Sequence, residues 1–252
     1  MIRAIIIMTT ANGESLMIDI HNHLLINVDD GPKSSEETFN LLNQAIAQGI
    51  TDIIVTPHHH SGTYVTPASV VKQKLLQVES IIADNNLQIN VHAGQEIRIN
   101  DVLIDELRSG ESLTLAGSNY ILVEFSFTEL REDVDEVFTA LRELGLTPII
   151  AHPERCRPLV ENEQILARLI KNGALAQVTA ASVCGEFGSD LQENSLDLIE
   201  KGLIHIVASD AHHAEYRPFM SKEAFEIIGN ELGQSYVEKM KQTAAAVLGK
   251  QQ

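Results

Sequence analysis

Imidazoles and carboxylates recur in this chain directly after short apolar runs, a pattern that suits metal binding. His21-Asn22-His23 follows Met17 to Ile20, His58-His59-His60 follows Asp52 to Thr56, and Glu96 follows Ile89 to Ala93. Glu124 lies at the end of Tyr120 to Phe125, His152 follows Thr147 to Ala151, and Asp210-Ala211-His212 follows Ile204 to Ala208. In an extended strand alternate side chains share a face, so His21 and His23 can reach one ion together. Gathering so many carboxylates and imidazoles without cations is costly, because like charges repel and desolvation is unfavourable. Mixed imidazole and carboxylate donors suit manganese, iron or zinc better than calcium. A single His-x-His is a weak signal; its repetition at strand ends is a strong one. Alternation puts His58 and His60 on one side of their run and His59 on the other, so at most two can face the site. His92 and His205 lie within strands and are read as structural.

Arg155, three residues after His152, and Arg217, five after His212, stand near these donors in a chain poor in bases. Guanidinium forks match phosphate oxygens, so both are read as clamps on a phosphate ester, with surface ion pairs as the alternative. Asp210 and His212 are the other candidates for a direct part in turnover. A cysteine phosphatase would need an arginine six positions after its nucleophile. Asn162 and Asp190 stand at that spacing from Cys156 and Cys184, which excludes the mechanism.

The elements that must position these groups read as alternating β and α segments. Seven strands are expected: Met17 to Ile20, Asp52 to Thr56, Ile89 to Ala93, Tyr120 to Phe125, Thr147 to Ala151, Ala174 to Val178 and Ile204 to Ala208. Helical periodicity marks Ser35 to Gln48, Ser69 to Asp84, Asp133 to Leu144 and Glu163 to Lys171. Gly49, Gly145, Gly173 and Gly202 sit where such helices end, just before the next strand. This order implies an α/β barrel whose active site gathers at the C-terminal ends of the strands; a doubly wound open sheet is the alternative. A chain of 252 residues with 44% hydrophobic content fits one such domain. Residues 17–252 are expected to form it, and residues 1–16 to be an irregular extension, a leader or an upstream start. Acids outnumber bases 35 to 18, and the formal charge of −17 repels nucleic-acid phosphates and anionic lipids. Inward-facing carboxylates that bind cations can account for part of that excess. No stretch is long enough to span a membrane. Two cysteines without a Cys-x-x-Cys pair fit a reducing cytoplasm.

Seven segments together resemble the polymerase and histidinol phosphatase (PHP) superfamily. They are Asp19-Ile20-His21-Asn22-His23, Val28-Asp29-Asp30-Gly31-Pro32, Thr56-Pro57-His58, Gly94-Gln95-Glu96-Ile97, Val123-Glu124-Phe125-Ser126, Ala151-His152-Pro153-Glu154-Arg155 and Ala208-Ser209-Asp210-Ala211-His212. Within it the chain is similar, from Met17 to about Pro218, to the Gram-positive capsular-polysaccharide type of manganese-dependent protein tyrosine phosphatase. The resemblance implies a distorted seven-stranded TIM-like barrel, and two or three ions per chain, Mn2+ ahead of Zn2+ or Fe. One ion would take His21, His23, Glu96 and Asp210; a second Glu96, Glu124 and His152; a third Asp30, His58 and His212. Arg155 and Arg217 fall where the family places phosphate-binding arginines. The implied substrate is the phosphotyrosine tail of a bacterial tyrosine kinase in capsule or exopolysaccharide biosynthesis. Rival readings are a histidinol-phosphate type of small-molecule phosphatase, an amidohydrolase, and a non-catalytic interaction module. Amidohydrolases often carry a metal-bridging lysine after strand four, where this chain has Glu124.

Overall fold

The structure, a computed structural model, describes residues 17–249; the expected N-terminal extension, residues 1–16, lies outside them. Its strands are β1 (Met17–Asp19), β2 (Ile50–Val55), β3 (His58–His59), β4 (Asn90–Ala93), β5 (Glu96–Arg98), β6 (Tyr120–Glu124), β7 (Thr147–Ala151), β8 (Leu175–Thr179) and β9 (Ile206–Ala208). They form two parallel sheets, ordered β1-β2-β4 and β3-β5-β6-β7-β8-β9. Helices connect most successive strands, which makes the chain an α/β protein with every paired strand running the same way. In such sheets both faces are covered, so strands read as nearly continuous apolar runs. The fully buried Ile53, Ile54 and Val55 of β2 show this.

Nine strands appear among the described residues, where seven were expected. The two additional ones, β3 and β5, are short and polar, and continue β2 and β4 after brief interruptions. At Gly94, between β4 and β5, an added Cβ would lie 2.8 Å from Ile54 Cγ2. The backbone there runs too close to β2 for any larger residue. The expected helices are present with ends shifted by no more than a residue, as in Ser35–Ala47, whose first turn is capped by Ser34 Oγ accepting from Glu37 N at 3.2 Å.

Side chains from both sheets meet in one buried cluster that includes Ile18, Ile54, Leu122, Ile149 and Ile206. A larger cluster packs helices outside the six-stranded sheet, and another packs helices on the three-stranded one. Backbone hydrogen bonds from Asp210 N to His21 O and from His23 N to Ala211 O, each 2.8 Å, join the segment after β1 to the segment after β9. This junction puts the His-x-His segment and the Asp-x-His segment side by side.

Candidate metal centre

Because the strands are parallel, the residues that follow them gather at one end of the molecule. His21 and His23 are fully buried there, as is Glu96. His21 Nε2 lies 3.4 Å from Glu96 Oε2 and 3.4 Å from Asp210 Oδ1; His23 Nε2 lies 3.5 Å and 3.4 Å from the same two oxygens. Four donor atoms from three separate stretches of chain thus surround one point. His152 Nε2 stands 2.8 Å from Glu96 Oε1, on the other side of that carboxylate. His212 Nε2 and His58 Nε2 lie 3.2 Å and 3.6 Å from Asp30 Oδ1.

The donors fall into overlapping groups compact enough to hold ions: His23, Asp30, His58 and His212; His21, His23 and Glu96; His21, His152 and Asp210; and His58, Glu96 and Glu124. The structure therefore brings together all nine residues singled out as ligands from the sequence. It groups them differently from the family-based partition: His23 stands with Asp30, His58 and His212 as well as with His21 and Glu96. His58 stands with Glu96 and Glu124 as well as with Asp30, and His152 stands with His21 and Asp210.

The protein fixes which imidazole nitrogen faces inward. Nδ1–H of His21 donates to Gln177 Oε1 at 2.9 Å, that of His23 to Asp29 Oδ2 at 2.7 Å, and that of His212 to the Asp210 carbonyl at 2.8 Å. Each bond leaves Nε2 as the lone pair aimed into the cluster, the arrangement that metal-binding histidines require. Asp29 also accepts from His58 N and Gly31 N, both at 3.0 Å. Gly31 is needed there, since an added Cβ would lie 2.3 Å from His23 O.

Three inward atoms, Glu96 Oε2, His58 Nδ1 and His212 Nε2, are buried without a hydrogen-bond partner. Glu96 Oε2 and His58 Nδ1 are only 2.8 Å apart, yet donor and acceptor are misaligned. Buried polar atoms left in this state are costly, and divalent cations held by the groups above would satisfy them. Charge balance agrees. Burial alone would lower the pKa of His21, but the Glu96 and Asp210 carboxylates outweigh it and hold it up at about 9. Burial likewise opposes a proton on His58, and Glu96 overrides it to about 10. Burial next to His23 brings His212 down to about 4. Burial disfavours ionised Glu96 as well, yet His21 and His58 hold it well below the usual carboxylate range. Carboxylates that draw protons onto two imidazoles this strongly would draw cations in their place. The donor set fits divalent metal.

Two of the clustered residues also have a left-handed backbone. His152 has φ 33° and Asp210 φ 52°, left-handed conformations that cost a non-glycine residue roughly 1–3 kcal/mol. The family described as capsular polysaccharide synthesis, CpsB/CapC, matches residues 17–248, almost the whole described chain. The chain belongs to the CpsB/CapC family. It is 43% identical over 209 residues to CapC of Staphylococcus aureus, covering 83% of this chain and 82% of that protein. It is 37% identical over 235 residues to the tyrosine-protein phosphatase YwqE of Bacillus subtilis strain 168, covering 93% and 92%. A crystal structure from work on YwqE and on CpsB of Streptococcus pneumoniae, described as metal-dependent tyrosine phosphatases, superposes with TM-score 0.91 at 37% identity. The match covers 94% of this chain and 96% of that one.

In this CpsB/CapC chain the two sequence-selected arginines converge on one atom. Arg155 Nη1 and Arg217 Nη2 each donate to Asp210 Oδ2 at 2.8 Å. Glu124 is ion-paired with Arg98, whose Nε lies 2.9 Å from Glu124 Oε2. Of the His58 to His60 run, only His58 enters the site. His60 has φ 58°, which breaks the strand alternation, and His59 and His60 both donate to Glu106, at 3.0 and 2.8 Å. The expectation that His58 and His60 share a side is corrected accordingly.

Several supporting residues were not singled out from sequence. Asp19 accepts from His21 N, Asn22 Nδ2 and Ser209 N, at 3.1, 3.1 and 2.8 Å. Glu154, fully buried so that its carboxyl is pushed up, accepts from Thr179 N and Ser182 Oγ. It ties the His152–Arg155 turn to the end of β8. Asp19, Asp29 and Glu154 lie inside the recognised motifs, so their motif membership was a usable signal. Gln177 is a polar residue flanked by Leu175, Ala176 and Val178 within β8, which was the only trace it left.

Proposed function

We propose that this protein is a metal-dependent phosphomonoesterase acting on phosphotyrosine. Its substrate would be the tyrosine-phosphorylated tail of a bacterial kinase of capsule or exopolysaccharide synthesis, in the cytoplasm, and Mn2+ its preferred ion ahead of Zn2+ or Fe. The observation that carries the reading is the convergence of His21, His23, Glu96 and Asp210 on one point, with Arg155 and Arg217 on the adjacent oxygen of Asp210. Metal donors and phosphate-binding forks share one rim, which suits a phosphate ester and is not needed for amide hydrolysis. Membership of the CpsB/CapC family and the likeness to YwqE support it. On the same reading β2 with β3, and β4 with β5, are interrupted single staves of a distorted seven-stranded barrel.

His21, His23, Asp30, His58, Glu96, Glu124, His152, Asp210 and His212 would hold two or three ions. Bound there, divalent cations would supply Lewis acidity toward the phosphoryl oxygens and acidify water. The arginines bind and orient: each can exchange the Asp210 oxygen for a phosphoryl oxygen, holding the ester with its leaving oxygen turned outward. Gln177 and Asp29 keep His21 and His23 in the inward tautomer throughout. A phenol leaves with a pKa near 10, so tyrosine phosphate needs less help from a general acid than an alkyl ester. Neither thiol is suited to attack: burial pushes the pKa of Cys156 up and that of Cys184 to about 12.

The test is hydrolysis of a phosphotyrosine peptide and of histidinol phosphate after chelation, with manganese, zinc, iron or magnesium restored separately. Restored turnover of the peptide, well above that of histidinol phosphate, is expected. Preference for histidinol phosphate would move the chain to small-molecule chemistry, and inactivity with every ion would leave a non-catalytic module.

A further inference from the structure

Two phenylalanines flank Arg155. Its guanidinium carbon lies 4.7 Å from the Phe127 ring centroid and 5.4 Å from that of Phe187. Phe127 follows β6, and its ring stands 5.4 Å from the ring of His152. Phe187 comes from a separate stretch of chain, the Gly185 to Gly188 turn beyond β8. Both remain substantially in water, 37% and 43% exposed, although the chain has only seven phenylalanines, four tyrosines and no tryptophan. The core does not require them there.

Their backbones are nevertheless held. Arg157 N donates to Phe127 O at 2.8 Å, and Glu186 N to Ala181 O at 3.0 Å. Gly185 and Gly188 supply the φ values of 80° and 102° that turn the loop outward around Phe187. Phe187 also walls an open cleft of about 150 Å³ that reaches Asp210 and Arg217. Two anchored aromatic rings thus border the place where a phosphate gripped by Arg155 and Arg217 would sit.

We propose that Phe127 and Phe187 make the site selective for aryl over alkyl phosphate esters, by receiving the aromatic ring of the leaving group beside Arg155. The proposal rests on the phosphatase reading and deepens it. A group esterified to a phosphate on Arg155 is confined to the neighbourhood of that guanidinium, where these two rings offer aromatic surface within 4.7 and 5.4 Å of the guanidinium carbon. Offset or edge-to-face contact favours an aromatic ring over an aliphatic group of similar size. The cleft's openness to solvent leaves room for a peptide chain beyond the ring.

The test separates ring recognition from leaving-group acidity. Phenyl phosphate and hexafluoroisopropyl phosphate, whose alcohols are of similar acidity, are assayed with the manganese-loaded enzyme and with Phe127→Leu, Phe187→Leu and the double variant. Melting temperatures confirm that each variant is folded. The ratio of kcat/KM for phenyl over fluoroalkyl ester is expected to fall roughly tenfold in the double variant, with each single variant in between. A ratio unchanged from wild type overturns the proposal. If both esters then slow together, the rings serve only to brace Arg155. Wild-type enzyme inactive on both esters overturns the phosphatase reading, and the proposal with it.

Discussion

Gln177 Oε1 accepts the Nδ1 proton of His21 at 2.9 Å, so a neutral amide on β8 determines which nitrogen of a β1-side histidine faces the cluster. Outer partners of this kind commonly control roughly 10- to 100-fold in metal affinity or activity. Gln177→Leu should weaken manganese binding by about that factor in a competition titration with a chelator, while the fold is kept. Unchanged affinity would show that His21 needs no such orientation.

Asp19 does comparable work for the backbone. It collects donors from His21, Asn22 and Ser209 within a site that is 1% exposed. Each buried donor left without an acceptor costs roughly 1–3 kcal/mol. With three such donors, Asp19→Ala should therefore lower the free energy of unfolding in urea by at least about 3 kcal/mol. A loss below about 1 kcal/mol would mean that water replaces the carboxylate.

Arg155 and Arg217 share Asp210 Oδ2, which makes each a candidate to hand over to substrate. Arg217→Ala should reduce kcat/KM for a phosphotyrosine peptide roughly 10- to 100-fold, the range of one charge-assisted hydrogen bond, and weaken inhibition by inorganic phosphate. Lysine should rescue only part of the loss, because it lacks the planar fork. An effect under about twofold, against that range, would reduce Arg217 to a neutraliser of Asp210.

Cys184 gives a pH signature of its own. Burial, then Glu223 and Glu186, raise its thiol from 9.0 to about 12. A raised pKa means that the folded state holds the proton more tightly than the unfolded chain. The contribution is fully present below pH 9 and is lost as pH rises toward 12. The drop in melting temperature between pH 8 and pH 10.5 should thus be shallower in Cys184→Ser than in wild type. Parallel drops would refute the assignment. Both Cys184→Ser and Cys156→Ser should keep phosphatase activity, and a dead serine variant would require a thiol mechanism.

The strands with long apolar runs, such as Tyr120–Glu124 and Thr147–Ala151, were legible because a parallel sheet covered on both faces demands such runs. Gly49, Gly145, Gly173 and Gly202 marked helix ends correctly, and all four have positive φ. The clustered imidazoles and carboxylates were visible for a related reason: such groups have little place at the ends of buried strands unless they bind something. The pairing of His59 and His60 with Glu106 was hidden because one positive φ at His60 redirects a side chain, and no local composition marks that. Arg98 was hidden because its partner Glu124 is 26 residues away and is reached only through strand register. The break of the expected staves into shorter strands was hidden because β3 and β5 are too short to show a period.

The account stands on several ions being held jointly by side chains from distant stretches of the chain. Crystals grown with manganese and measured at its absorption edge test this directly. Two or three anomalous peaks enclosed by His21, His23, Glu96, His152, Asp210 and the Asp30–His58–His212 group are expected. No peak within that ring of donors, in a protein that turns over phosphotyrosine with manganese, would contradict it.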